Sequence, residues 1–424
     1  MRLICGPKAF LDANSIDDTL PVVLYGHAGG PNRGSAGAAA LREILRLKLD
    51  PSPRAWDFLT IALSVIAADV SGYRDQSPDG WTRDFELDIA VAEPDLWSGL
   101  ANDLARALAF LTTDRWRLRF HAGGVLPAPP KPAWRPAQPS AMLLSGGMDS
   151  LIGAIDLAAE WRPFAVSQTV RGDAEKQVDF AQRIGGGLAH IQLNHNAEGI
   201  GVKEDSQRAR SLIFLAFGVI VATATEANRA GTRVPLFVCE NGFIAVNPPL
   251  TGARLGSLST RTAHPEFLAR LQAVMDAAGL NVELRNPYRA MTKGEMLANC
   301  GDQAILKAEA ARSTSCGRFQ RFNYKHCGRC VPCQVRRAAF LRWGEADSTA
   351  YVYDNLGKDD PDYSGFDDVR AVRMAIAEVE ANGLDAWLGP ALSSPLITHR
   401  AALKDMIRRG LEELAALHRV YGVK

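Results

Sequence analysis

The chain has 424 residues, 47% of them hydrophobic and 22% charged, with a formal net charge of +1. That is a globular composition, long enough for two or three domains, and too evenly charged for a general binder of nucleic acid or membrane surfaces. The start, "MRLICGPKAF", has no leader-like apolar stretch, and no segment has the length of apolar residues needed to span a bilayer, so the expected location is the cytoplasm.

In chain order, the first elements suggest a mixed α+β domain over residues 1–125. The glycine-rich "GHAGGPNRGSAG" (26–37) reads as a loop. "FELDIAV" (85–91) and "WRLRF" (116–120) alternate apolar and polar residues as half-buried strands do, and "PDLWSGLANDLARALAFL" (94–111) between them has helical spacing. The stretch "LPAPPKPAWRPAQPS" (126–140) has six prolines in fifteen residues, which rules out a helix interior or central strand. A linker is placed at 126–139.

Strands and helices then alternate. "AMLL", "PFAVSQTV" (163–170), "HIQL" (190–193) and "PLFVCE" (235–240) read as strands; "LIGAIDLAAE", "AEKQVDFAQRIG" and the strongly apolar "SLIFLAFGVIVATATEA" (211–227) read as helices. Such alternation predicts an α/β fold with a doubly wound parallel sheet over 140–345, whose ligands bind beyond the carboxyl ends of the strands. From 346 to 424 the pattern is amphipathic and helical, as in "DDVRAVRMAIAEVEANGLDAWL" and "HRAALKDMIRRGLEELAALHRVYG".

Two motifs carry chemistry. "SGGMDS" comprises Ser145, Gly146, Gly147, Met148, Asp149 and Ser150, set between a buried strand and a helix. The glycines allow close backbone approach, and the first helical N–H groups favour phosphate oxygens. No Gly-Lys-Ser/Thr follows, so this is not a Walker loop. The second motif is C-x10-C-x2-C-x2-C, made by Cys316, Cys327, Cys330 and Cys333. Four thiolates at these gaps suit a closed structural zinc site, although an iron–sulfur cluster takes the same donors. Cys5, Cys239 and Cys300 are isolated and read as buried inert thiols.

The first motif resembles the PP-loop signature of the ATP pyrophosphatases. Together with "SCGR…HCGRCVPCQVRR" it resembles the 7-cyano-7-deazaguanine synthase (QueC-like) family; "RARSLIF" (208–214) and "MTKGEML" (291–297) support the match, which covers about 140–345. The resemblance implies binding of ATP with Mg2+, attack of a 7-carboxy-7-deazaguanine carboxylate on the α-phosphorus, and conversion of the adenylate to an amide and then a nitrile. It implies Zn2+ on the four cysteines. It places Asp149 at the magnesium–pyrophosphate site. Lys293 and Arg210 then face the phosphates, with Arg208, Glu240 and Arg254 toward the substrate, Glu240 as an acceptor for a guanine-like edge.

The chain also departs from that pattern. "SQTVRGDAEKQ" and the stretch 240–267 replace family segments, and the first 138 residues and the helical tail are additional. In this it resembles the synthase-like proteins of bacterial anti-phage operons such as the Qat system (QatC-like). The resemblance leaves room for a changed acceptor, an amine of a partner protein from the same operon docked by the N-terminal domain. A tRNA sulfur transferase or an inactive defence scaffold are the readings from other classes.

Overall fold

A computed structural model describes residues 1–14, 18–30, 32–201, 204, 208–251, 261–357 and 368–423. Among the described residues there are ten strands: β1 (Arg2–Gly6), β2 (Leu20–Leu24), β3 (Gly34–Ala36), β4 (Asp84–Val91), β5 (Arg115–Ala122), β6 (Ala141–Leu143), β7 (Phe164–Gln168), β8 (His190–Leu193), β9 (Val234–Phe237) and β10 (Val282–Arg285). They form two five-stranded sheets, ordered β3-β2-β1-β4-β5 and β10-β9-β6-β7-β8. Every pairing in both is parallel. The first sheet is therefore more regular than the α+β arrangement expected from its sequence. Counted from its own first strand, each sheet has the same order, with that first strand in the centre.

The sheets share one apolar core. Leu3, Cys5, Phe85, Leu87 and Ile89 of the first sheet and Leu143, Val166, Ile191 and Leu236 of the second belong to the same buried cluster. Two helices between the sheets make this possible. Pro53–Ser71 packs on β1 to β4 and against Arg210–Ala224, which packs in turn on β6, β7, β9 and β10. Both are apolar nearly all round and buried along almost their whole length, as a helix between two sheets must be. Ser52 starts the first of them, accepting from the Ala55 N–H, with Pro53 at a position where proline costs nothing.

The proline-rich stretch thus divides the sequence and not the core. It lies across the surface as a strap: the Trp134 N–H donates to Lys48 O (2.8 Å), and Arg135 pairs with Asp50 (3.1 Å). Part of the glycine-rich segment forms β3, whose free side bridges to Glu198 in the loop after β8.

The tail is helical, with Asp368–Asn382 and Arg400–Val420 as its main elements. They enclose a separate apolar cluster with Val331–Trp343 and with the short helix Gly242–Val246. Among the described residues no helix is long and apolar enough to cross a membrane.

Candidate functional site

The second sheet runs outward from β6 to β7 and β8, then returns to the other side of β6 with β9. A crevice at the carboxyl ends of β6 and β9 follows from that reversal. The segment 144–147 leaves β6 there and enters the helix Met148–Glu160.

The turn is held from inside. Gly146 has φ +83, a left-handed conformation that favours glycine, and a Cβ there would make a tight 3.2 Å contact with Asp173 Cβ. Ser150 Oγ donates to Gly147 O (3.0 Å), which leaves it to accept from the Ser145 N–H (3.2 Å) and the Ser145 hydroxyl (3.0 Å). Ser145 Oγ in turn accepts from the Gly147 N–H (3.2 Å). Beneath, the Ser167 hydroxyl donates to Leu144 O (2.6 Å) and must accept from His190 Nε2 (2.8 Å). Burial lowers the pKa of His190 to about 4, so it is neutral at pH 7, with its proton on Nε2. The buried Gln177 amide donates to Ser145 O (3.2 Å). The N–H groups of the helix's first turn lack intrahelical acceptors and face the crevice side, as an anion site requires.

Asp149 is the centre of the arrangement. Its Oδ1 accepts from Lys293 Nζ (2.5 Å), and its Oδ2 accepts from Asn241 Nδ2 (2.8 Å) and the Asn241 N–H (3.3 Å). Lys293 opens the helix Lys293–Asn299, behind a capping box of Thr292 and Glu295. Asn241 follows β9 and is the N-cap of Gly242–Val246, its Oδ1 accepting from the Ile244 N–H (3.0 Å).

The cysteine segment reaches the same loop. The Thr314 N–H donates to Gly146 O (3.0 Å), and its hydroxyl donates to Asp173 Oδ1 (2.6 Å), which also pairs with Lys176 (2.6 Å). Two residues on, Cys316, Cys327, Cys330 and Cys333 converge, all buried, with their sulfurs within 4.8 Å of one another. The Cys316–Cys330 and Cys327–Cys333 sulfur separations are 3.9 and 3.8 Å. These are far beyond a disulfide and close to the edge of about 3.8 Å that four sulfurs around zinc at about 2.3 Å would make. Backbone N–H groups of Arg318 and Cys327 point at Cys316 Sγ (3.4 Å each), and that of Cys330 at Cys327 Sγ (3.2 Å), as suits thiolates. The donor set fits a tetrahedral ion.

The other residues singled out in the sequence lie around this centre or apart from it. Arg210 stands at the head of its helix, where desolvation lowers its pKa against the pull of Asp173. Arg208 turns to the first half of the chain, over the Trp81 ring at 4.8 Å. Burial and nearby Arg74 lower its pKa to about 10 against the pull of Asp69 and Asp114. Glu240 is half-buried beside Asn241, its carbonyl accepting from Asn286 Nδ2 (2.8 Å). Arg254 lies outside the described residues.

Asn241, Gln177 and Thr314 were not anticipated. Asn241 carried a signal, since "ENG" after a strand is a helix-start pattern. The other two act through contacts between segments far apart in sequence, which no local pattern reveals.

Residues 262–344 match the family model "Queuosine biosynthesis protein QueC". A 7-cyano-7-deazaguanine synthase of Rhizobium etli is 27% identical over 237 residues, covering 50% of this chain and 90% of that protein. One of Methanococcus maripaludis strain C6 is 35% identical over 92 residues, covering 21% of this chain. In that case the chain spans only 39% of the relative's length. No solved structure matches. Over the stretch that holds Lys293, Thr314 and all four clustered cysteines, this chain is thus similar to the queuosine biosynthesis protein QueC.

Proposed function

We propose that this chain uses ATP to adenylate the carboxylate of 7-carboxy-7-deazaguanine or a closely similar base, and that an amine then displaces AMP. The observation that carries the reading is Asp149, held between Lys293 and Asn241 at the mouth of a glycine turn on a helix N-terminus.

The first-turn N–H groups and Ser145 bind the β,γ-phosphates. Magnesium, when bound at Asp149, screens their charge and favours pyrophosphate as a leaving group. Lys293 and Arg210 add positive charge to the same crevice, while Asn241 and Lys293 fix the direction of the Asp149 carboxylate. A substrate carboxylate oxygen attacks the α-phosphorus, and the bond to the bridging oxygen breaks, with its electron pair leaving on pyrophosphate. An amine nitrogen then attacks the acyl carbon, AMP leaves, and the nitrogen gives up a proton. With ammonia the product is an amide, and a second adenylation on the amide oxygen, with loss of AMP and a proton, gives the nitrile.

With 7-carboxy-7-deazaguanine and Mg·ATP the protein is expected to release AMP and pyrophosphate. Asp149→Asn should lower the rate by about 100-fold or more, as loss of a group aligned to the reacting charge does. ADP and phosphate as products would overturn the reading.

A second reading concerns the acceptor and a place in anti-phage defence. Segments 168–177 and 240–267 depart from the biosynthetic pattern, and the first of them lies against the loop through Asp173 and Gln177. This supports an acceptor amine on a partner protein. Co-expression with neighbouring gene products and intact-mass measurement distinguish the two: a mass gain of one deazaguanine acyl group supports transfer, and free amide or nitrile with unmodified partners excludes it.

A further inference from the structure

The two groups that hold Asp149 come from different segments, after β9 and at the head of Lys293–Asn299, and one helix of the tail backs both. Arg400–Val420 lays Met406 and Gly410 against the Asn241 side. A Cβ at Gly410 would lie 2.2 Å from the Phe243 ring, and one at Gly242 would lie 3.0 Å from Met406 Cε, so helix and segment are in direct contact.

The same helix also reaches the Lys293 side, through Arg409 and Glu413. Arg409 donates to Glu295 Oε1 (2.6 Å) and to Ala290 O (3.0 Å). Glu413 Oε1 accepts from the Thr292 hydroxyl (2.5 Å). Arg409 and Glu413 are four residues apart and so share a helix face. Glu413 therefore bonds the residue before Lys293 and packs against the one after it. The approach is tight: a Cβ at Gly294 would lie 2.7 Å from Glu413 Oε1 and 2.7 Å from Arg342 Cγ.

We infer that Glu413 is a positioning residue for the Asp149–Lys293 pair, and that the tail helix Arg400–Val420 is a working part of the crevice. Thr292 explains why the contact matters. Its hydroxyl accepts from the Glu295 N–H (3.1 Å) and so has its own proton to give, which Glu413 takes. Without that acceptor the hydroxyl must find another, and the cap that starts the Lys293 helix loosens. Lys293 is only 7% exposed at its side chain, so a small rotation of the helix start changes both its reach to Asp149 and its access to water.

The inference rests on the ATP reading only for its consequence in catalysis; the geometry can be tested without nucleotide. Competitive acetylation of the full chain with acetic anhydride, followed by peptide mass measurement, gives the reactivity of Lys293. In Glu413→Leu, Lys293 should react about fivefold faster or more than in the parent, as expected for a lost buried acceptor and cap. Glu413→Gln keeps an acceptor oxygen and should stay within about twofold. Glu412→Gln, which alters an exposed ion pair with Arg408, should change nothing. Should Glu413→Leu fail to fold, Thr292→Val removes the donor from the other side and carries the same expectation. A parent-like Lys293 rate in a folded Glu413→Leu or Thr292→Val chain overturns the inference, whatever the protein does with ATP. If the rates rise and Mg·ATP binding is absent even in the parent, the positioning stands and the ATP reading falls.

Discussion

A strong zinc chelator is expected to lower the melting temperature by roughly 10 °C or more and to weaken Mg·ATP binding in the same titration. The first effect is the usual coupling of a four-thiolate ion to folding. The second follows from chain geometry here. Cys316 is two residues from Thr314, which pairs backbone to backbone with the glycine turn, its N–H on Gly146 O. Arg336, fully buried, ties the same stretch down by donating to Ser313 O (3.0 Å), Ser315 Oγ (3.2 Å) and Ala310 O (2.7 Å). With the sulfurs released, the turn loses the strand-like neighbour that holds Gly146. Elemental analysis should find about one zinc per chain in the parent protein and much less in Cys330→Ser. A chain with iron, or with no metal and an unchanged melting temperature, would reject the assignment.

Stability is expected to fall steeply as pH drops from 6.5 toward 4. Burial lowers the pKa of His264, His418 and His190 each to about 4, with Arg261 adding to the effect at His264 and Arg373 at His418. A histidine with a lowered folded pKa takes up its proton more readily in the unfolded chain. Its penalty is absent above the unfolded value of 6.5 and grows as pH falls to the folded one. At pH 5 this costs roughly 2 kcal/mol for each histidine, or several together. Glu413 acts in the opposite sense. Burial raises it to about 7, Glu295 adds to the rise, and the Thr292 hydroxyl and Arg342 oppose it. A raised carboxyl favours the folded state more at pH 5 than at pH 7.5, by roughly 2 kcal/mol. The three histidines outweigh it. Melting temperature measured from pH 7.5 to 5 should therefore fall, and His264→Gln with His418→Gln should flatten the curve. A parent profile that is flat or rises on acidification would refute this account.

Much of the second half was legible because its signals are local. Buried strands at 141, 164, 190 and 234, and the turn of Ser145 to Ser150, are short runs that only one backbone path satisfies. The four cysteines were legible for the same reason, since their spacing is a chemical signature in itself. Lys293 could be placed near the phosphates by resemblance, and the structure puts it on Asp149. The first half was less readable. Leu20–Leu24 and Gly34–Ala36 are short, and β1 is hidden in a start that offers little alternation. The helix Pro53–Ser71 shows almost no amphipathic pattern because neither of its faces meets water. Arg208 illustrates the other limit: sequence placed it at a helix head, but the direction of a side chain there depends on Trp81, which lies more than a hundred positions away. Glu413 was invisible for the same reason, a tail residue whose meaning comes from Thr292 and Gly294.

The contact between Pro53–Ser71 and Arg210–Ala224 has a consequence for how this protein behaves on dilution. The second helix carries an apolar surface that any chain built on the same sheet has to shield. Were it covered by a separate molecule, that shielding would weaken as the molecules become scarce. Here the shield is tethered to what it covers, at an effective concentration set by the connecting chain and independent of how many copies a cell holds. The half that carries the proposed ATP site can therefore stay intact in a protein made in very few copies.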